Sequence, residues 1–190
     1  MPTPNISTYP KLLPLRDGEE VAIRPMVSGD EGTLLDFFLR LPEEDRFYLK
    51  DDVTAPGVIA GWVRDLDYER VFPLLAVQHD RIVGDATLHR RRGGAHRHMG
   101  EVRVTVDPAL RGRGLGTALL RELVDCASQV GLETLVFELI EGVQDEAIDA
   151  ARRAGFLVAA RLANHVKDMQ GTPHDLVIMS MLLGQWYGWW

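Results

Sequence analysis

Hydrophobic and polar residues follow two different periods along this chain, and the change of period is sharpest near its middle. From Val102 to Val106 every second residue is a valine, which predicts a half-buried strand. Asp107-Pro108 ends this strand, because proline cannot donate a hydrogen bond to a neighbouring strand. After a glycine-rich segment, apolar residues recur at helical spacing, at Leu115, Leu119, Leu123, Cys126 and Val130. The pattern predicts a strand, a tight turn and a long helix.

The same two periods predict the other elements. Strands are expected at residues 20–24, 72–77, 82–89, 132–140, 156–166 and 175–183. Helices are expected at residues 28–41, 56–66 and 144–154. This order of elements indicates an α/β (α+β) fold, in which helices pack on the faces of a mixed, mostly antiparallel central sheet.

The chain has the size and composition of one globular domain. It has 190 residues, of which 46% are hydrophobic, enough for a single core. We expect an extended N-terminal arm at residues 1–18, one domain at residues 19–184, and a C-terminal tail at residues 185–190 that contains four aromatic residues. Such aromatic residues bury large areas and are rarely left free in solvent.

Charge and cysteine content exclude several classes of function. The net charge is −7, which makes the chain a poor general binder of nucleic acid. Cys126 is the only cysteine and lies on the apolar side of its helix, so it is interpreted as core filling. No apolar run reaches the roughly 18 residues of a membrane span, and the proline-rich N-terminus does not resemble a signal peptide. A cytoplasmic location with no membrane contact is expected.

The glycine-rich segment is the best candidate for a binding site. A glycine turn that opens a helix presents unpaired backbone N–H groups at the positive end of the helix dipole, where phosphate binds. A nucleotide P-loop is excluded because the segment contains no lysine before a Ser or Thr. A dinucleotide fingerprint is also excluded, because its third glycine position is occupied by Thr117 in one frame and by Leu119 in the other.

The remaining pattern is Arg-x-x-Gly-x-Gly, formed by Arg111, Gly114 and Gly116. It resembles the pyrophosphate-binding motif of the GNAT superfamily of acyl-CoA-dependent N-acyltransferases, and the flanking strand and helix lie where that family places them. Arg153 to Phe156 is a further family-like phrase, and residues 23–25, 41–46 and 151–156 resemble the bacterial protein-lysine acetyltransferase branch. The resemblance implies transfer of an acetyl group from acetyl-CoA to a primary amine, without a metal.

The family also suggests which residues contact the coenzyme. The backbone of Val104, Thr105 and Val106 would pair with the pantetheine arm and polarise the thioester oxygen. Residues from Gly112 to Thr117 would hold the pyrophosphate, with added charge from neighbouring arginines. The implied coenzyme-binding set is Val104, Thr105, Val106, Arg111, Gly112, Arg113, Gly114, Leu115, Gly116, Thr117 and, in place of the family's asparagine, Gln144.

Glu101 is the candidate catalytic base. An amine with a pKa of about 10.4 is rarely neutral at pH 7, so transfer to it requires a base. By alternation Glu101 shares a face with Arg103 and Thr105, opposite the valines, and it aligns with the family's usual glutamate base. A bulge in this strand would shift that alternation. The alternative is a solvated glutamate, or a partner for Arg103.

One family feature is missing, and it keeps a second function open. Many members have a tyrosine four residues before the Gly-Phe glycine, as the acid for the leaving thiolate; here that residue is Ala151. A non-catalytic CoA-sensing or interaction module is therefore the alternative to an enzyme. The identity of the acceptor amine, a protein lysine or a small molecule, stays open. A homodimer, and a role for the C-terminal tail as a lid over the acceptor site, also stay open.

Residues 90–98 contain a cluster of basic side chains and are predicted to form a loop. Arg90, Arg91, Arg92 and Arg97 accompany two histidines within residues 90–98. A solvated hairpin loop is the simplest interpretation. Contacts to an acidic substrate, to the coenzyme's ribose phosphate or to nucleic acid are the alternatives, and the histidine spacing is weak for zinc.

Overall fold

A computed structural model describes residues 2–184, so the predicted aromatic tail at residues 185–190 lies outside the described residues. The strands are β1 (Lys11–Pro14), β2 (Glu20–Pro25), β3 (Val71–Gln78), β4 (Arg81–Arg90), β5 (Met99–Val106), β6 (Thr134–Ile140), β7 (Leu157–Lys167) and β8 (Pro173–Leu182). The α-helices are α1 (Glu31–Arg40), α2 (Glu43–Phe47), α3 (Val58–Arg64), α4 (Leu115–Gln129) and α5 (Asp145–Ala154).

The strands form one sheet in the order β1-β2-β3-β4-β5-β6-β8-β7. Only the pairing of β5 with β6 is parallel among the described strands, and all other pairings are antiparallel. The predicted class, a mixed and mostly antiparallel sheet with helices on its faces, is confirmed.

Two elements were not predicted from the sequence. The segment expected as an extended arm contains β1, which pairs with β2 from Lys11↔Ile23 to Pro14↔Glu20. This strand is short and proline-rich, which an edge strand tolerates because one side of it needs no hydrogen bonds. The Tyr9 hydroxyl donates to the Glu122 carboxylate of α4 at 2.6 Å, which fixes β1 beside the long helix. The second missed element is the five-residue helix α2.

Two separate apolar clusters cover the two faces of the sheet. The larger cluster joins β2 to β6 and β8 with α4 and α5, and Leu119, Leu123 and Cys126 of α4 are fully buried in it. The smaller cluster joins α1 and α3 to the opposite face through Phe37, Phe38 and other side chains. Cys126 is core filling as predicted, and burial raises the pKa of its thiol to about 11.

The register of β5 decides which of its side chains face which cluster. β4 and β5 pair without a shift from Gly84↔Val106 to Arg90↔Gly100, so the predicted alternation is preserved. Val102 is buried in the larger cluster, while Val104 and Val106 are only partly buried against it. The outer end of β5 is less buried than its start, because it lies at an opening in the sheet.

That opening comes from the divergence of β5 and β6. The two strands pair at only three positions, from Met99↔Thr134 to Glu101↔Val136. β5 then continues to Val106 along β4, while β6 continues to Ile140 along β8. Beyond Glu101 the edge of β5 that faces β6 has no partner strand among residues 2–184. A strand edge of this kind presents main-chain donors and acceptors to a ligand.

Candidate active site

The turn from β5 into α4 has the geometry that the glycine pattern predicts. Gly112 has a φ of 71° and Gly114 a φ of 95°, a left-handed region that favours glycine. Gly114 is the N-cap of α4 and no side chain caps the helix there. Because the first N–H groups of a helix have no partner within it, the amides of Leu115, Gly116 and Thr117 face the turn as available donors.

Arg16, which the sequence did not single out, braces this turn from the N-terminal segment. Its backbone N–H donates to the carbonyl of Arg113 at 3.2 Å, and its guanidinium donates to the carbonyl of Gly112 at 3.3 Å. A Cβ at Gly114 would lie 3.6 Å from the Arg16 side chain. Nothing in the local sequence marks this contact, because it joins residues almost a hundred positions apart.

The two arginines of the motif are ion-paired with the protein's own carboxylates. Arg111 contacts Asp45 of α2 at 2.7 Å, and Arg113 contacts Asp17 at 2.7 Å. Both arginine side chains are more than one third exposed, so solvent screens each ion pair and its energy is small. The pairs hold the arginines beside the turn.

Gln144 and Ala151 lie on the helix that follows β6. The Gln144 side-chain oxygen accepts a hydrogen bond from the backbone N–H of Ile140 at 2.9 Å, which closes the turn between β6 and α5. Ala151 is fully buried in the larger core cluster. The position that carries a tyrosine in many relatives is therefore occupied here by packed core, without a hydroxyl.

A cavity of about 490 Å³ lies on the opposite face of the sheet, beneath α1 and α3. Its floor is the polar face that β4 and β5 share, formed by Asp85, Thr87, His89, Arg103 and Thr105. Its walls are apolar side chains of the smaller cluster, and charged side chains surround its rim. A cavity of this size is within the range of small-molecule sites.

The floor contains two titratable groups with strongly shifted pKa values. Burial raises the pKa of Asp85 from 3.8 to about 7, against an opposing effect of the positive charge of Arg103. Burial, reinforced by Arg103, lowers the pKa of His89 from 6.5 to about 4. The His89 ring nitrogen Nε2 lies 2.9 Å from the Thr87 hydroxyl. Near pH 7 His89 is therefore neutral, and Asp85 is divided between its two forms.

Glu101 lies on the same face as this floor, opposite His89 in the register. Its carboxylate accepts a hydrogen bond from Arg103 Nε at 2.8 Å, and Arg103 also lies 3.9 Å from Asp51. Glu101 does not line the cavity, and its side chain is 36% exposed. The alternative from the sequence, a partner for Arg103, is the contact seen here, and the catalytic role stays a prediction.

Sequence reasoning missed Asp85 and His89, although a signal was present. Asp85, Thr87 and His89 occupy alternate positions of a strand that was itself predicted, so they form a polar face within the sheet. The same alternation had drawn attention to Glu101, Arg103 and Thr105. The missing information was that β4 lies beside β5 with these two polar faces in register.

Two of the four arginines in the basic loop at residues 90–98 are held by contacts with the rest of the protein. Arg90 is buried and donates to the carbonyls of Pro2 and Tyr68, and Arg92 pairs with Asp67 at 2.5 Å. Among residues 2–184 there is no cluster of histidine, cysteine and acidic side chains that would hold a metal ion. None of the described helices is both long and apolar enough to cross a membrane.

The architecture and the site define a class of protein. A mixed sheet whose parallel pair diverges beside a glycine turn at a helix N-terminus is the fold of the acyl-CoA N-acyltransferases. The model of the acetyltransferase (GNAT) family matches residues 31–156. The chain belongs to the GNAT acetyltransferase family, and it is an acetyltransferase.

Solved structures support the same fold. An acetyltransferase of the GNAT family from Streptococcus pneumoniae is 20% identical, with a TM-score of 0.76 over 85% of this chain and 99% of that one. A ribosomal-protein-alanine N-acetyltransferase from Brucella melitensis is 23% identical, with a TM-score of 0.72 over 85% and 99%. YncA from Salmonella typhimurium, solved with its cofactor acetyl-CoA, is 22% identical, with a TM-score of 0.74 over 88% and 96%. No curated protein matches the sequence.

Proposed function

We propose that this protein transfers an acetyl group from acetyl-CoA to a primary amine by direct attack of the amine on the thioester. The observation that carries the proposal is the unpaired edge of β5, which lies between the glycine turn and the polar cavity. The glycine turn with its free helix amides lies at the end of that edge, and the polar floor of the cavity lies on the face of the same strand.

The turn offers hydrogen-bond donors and positive charge for the pyrophosphate of the coenzyme, and the strand edge offers main-chain groups for its pantetheine arm. The amides of residues 115–117 would donate to the pyrophosphate at the positive end of α4, and Arg111 and Arg113 would add charge from either side. Glycine at position 114 adopts the left-handed conformation from which α4 begins within the turn. The backbone of Val104 to Val106 would pair with the pantetheine arm, and one N–H there would polarise the thioester oxygen. Gln144 would contribute indirectly, because its hydrogen bond with Ile140 fixes the start of α5.

The acceptor amine must lose a proton before it attacks, and two carboxylates on the cavity face of the sheet are candidates for the base. Glu101, predicted from the sequence, lies at the end of the parallel pairing and is oriented by Arg103. Asp85 lies one strand further in, opposite Thr105. With Ala151 in the core, we propose that the leaving thiolate takes its proton from water, since a thiol of pKa about 8.5 leaves readily.

The alternative function is a CoA-sensing module that binds the coenzyme without turnover, and Ala151 is the observation that favours it. The experiment separates binding from chemistry. Calorimetry with acetyl-CoA and with CoA measures binding, and release of free thiol across a panel of amines measures transfer.

We expect micromolar binding and thiol release that depends on an added amine. Binding without release would favour the module, and the absence of binding to folded protein at millimolar coenzyme would overturn both functions.

A further inference from the structure

Asp85 is largely shielded from solvent, yet the described residues offer its carboxylate no hydrogen-bond or ion-pair partner. Its nearest register neighbours are Leu75 on β3 and Thr105 on β5. Its oxygens open onto the cavity and are not sealed in the core. An unpaired carboxylate in such surroundings is unfavourable, so the group either takes up a proton or gains a partner from a bound ligand.

The rest of the cavity indicates what that ligand looks like. Phe38 and Trp62 meet edge to face in the wall, with ring centroids 5.7 Å apart, and Leu34 extends the apolar surface. At about 490 Å³ the space is much wider than a single unbranched alkyl chain requires, and it matches the size of sites for whole small molecules. The wall therefore suits an aromatic or branched apolar body.

The charged groups at the floor of the cavity indicate which chemical group the other end of the ligand carries. The positive charge of Arg103 acts on Asp85, but Arg103 is hydrogen-bonded to Glu101 and lies beside Asp51, and its effect on the pKa of Asp85 is smaller than that of burial. His89 on the same strand is neutral near pH 7, because burial lowers its pKa to about 4. The other charged side chains around the cavity lie at its rim, namely Lys50, Asp51, Asp65, Asp67 and Arg70. A cation at the floor would be the direct partner of Asp85.

We propose that the acceptor is a small primary amine with an aromatic or branched apolar body, which enters the cavity with its ammonium group on Asp85, and that Asp85 accepts the proton before transfer. This inference rests on the proposed function. It places the amine beside Thr105, within the segment of β5 along which the thioester would lie.

The proton balance of the step is complete without a further reactant. The ammonium group donates one proton to the Asp85 carboxylate, which leaves a neutral amine and a carboxylic acid. The amine nitrogen bonds to the carbonyl carbon of the thioester and the carbon–sulfur bond breaks. The second nitrogen proton passes through water to the departing thiolate, and Asp85 returns its own proton to solvent when the amide leaves.

The test uses 2-phenylethylamine as the small amine and a lysine-containing peptide as the competing acceptor. The unmodified 190-residue protein is compared with Asp85→Asn, with Glu101→Gln, and with Asp36→Asn, which makes the same chemical change on the exposed surface of α1. Thiol release gives kcat/KM for each acceptor, and calorimetry gives the Kd for acetyl-CoA.

We expect Asp85→Asn to lower kcat/KM for 2-phenylethylamine by about 100-fold or more, the range of general-base catalysis, with the Kd for acetyl-CoA unchanged. In the unmodified protein the rate should rise as pH increases through about 7, the pKa to which burial raises Asp85, and this rise should be lost in Asp85→Asn. Asp36→Asn should stay within about twofold of the unmodified protein at each pH.

Three results would overturn the proposal. Retained activity in Asp85→Asn together with its loss in Glu101→Gln would assign the base to Glu101. Transfer to the peptide but not to 2-phenylethylamine would assign the cavity to a protein lysine. If Asp85→Asn fails to fold, the unmodified protein decides alone: a rate that does not change between pH 6 and pH 8 contradicts the role of Asp85. Failure of acetyl-CoA to bind would instead refute the proposed function itself.

Discussion

Asp85 and Glu101 are carboxylates on one face of one sheet, and their partners separate them. Glu101 has an arginine within hydrogen-bond distance and about one third of its side chain in solvent, whereas Asp85 faces a cavity without a partner. A carboxyl whose pKa burial raises to about 7 is partly ionised near neutral pH, and this ionised fraction can bind a cation and accept a proton. The chemical difference between them follows from position in the sheet.

The raised pKa of Asp85 makes a prediction about stability. The unfolded chain ionises this carboxyl near pH 4 and the folded protein near pH 7, so the folded state holds more protons in that window and its stability falls as pH rises through it. Asp85→Asn should therefore have a higher Tm than the unmodified protein at pH 8, with the difference shrinking towards pH 4. The shift sets an upper limit of about 4 kcal/mol, which water in the cavity reduces.

Thermal unfolding followed by circular dichroism at pH 4, 6 and 8 measures this effect. Asp36→Asn provides the matched control, because Asp36 is exposed on α1 and its change should leave Tm the same at every pH. If the difference in Tm between Asp85→Asn and the unmodified protein is the same at all three pH values, burial does not raise the pKa of Asp85.

Among the elements, the turn between β5 and α4 combines a predicted motif with an unpredicted support. The glycines and the helix start could be predicted because backbone conformation at φ above zero and helical periodicity are local properties. The brace from Arg16 could not, since it depends on β1 pairing with β2 at the edge of the sheet. The same holds for the divergence of β5 and β6, which no local pattern records.

The turn allows a matched test of coenzyme binding. Gly114 and Gly131 lie at the two ends of α4, and both have positive φ, at 95° and 75°. Alanine at either position should lower stability by about 1 kcal/mol, because both sites disfavour a Cβ. We expect only Gly114→Ala to weaken acetyl-CoA binding, by about tenfold or more, because its Cβ would lie 3.6 Å from the Arg16 side chain that braces the turn, whereas a Cβ at Gly131 meets nothing within 4 Å.

Calorimetry and thermal unfolding on the two variants test this expectation. Equal losses of stability with equal coenzyme affinity would show that the contact of position 114 with Arg16 does not support coenzyme binding. A loss of affinity in both variants would attribute the effect to the helix as a whole.

At the scale of the whole molecule, the net charge and the contacts of the arginines limit the classes of partner that the protein can bind. The net charge of −7 opposes nucleic acid, and two of the loop arginines, Arg90 and Arg92, are held by the protein's own oxygens. We predict no binding to a 20-base-pair duplex at micromolar protein in 50 mM salt, measured by fluorescence anisotropy. Binding that weakens steeply with added salt would show that the remaining arginines form a nucleic-acid surface.

The sequence by itself determined the class of fold, the glycine turn and the family. These depend on periodicity, on backbone preference and on a short motif, which are properties of neighbouring residues. The tertiary structure decided which polar faces meet. Asp85 and Thr105 are 20 positions apart in the chain, and only the pairing of β4 with β5 places them side by side. The packing of α1 and α3 over this face of the sheet then encloses the cavity that both residues line. Burial and the choice of partner, which set the pKa of a carboxyl, arise from contacts between distant parts of the chain.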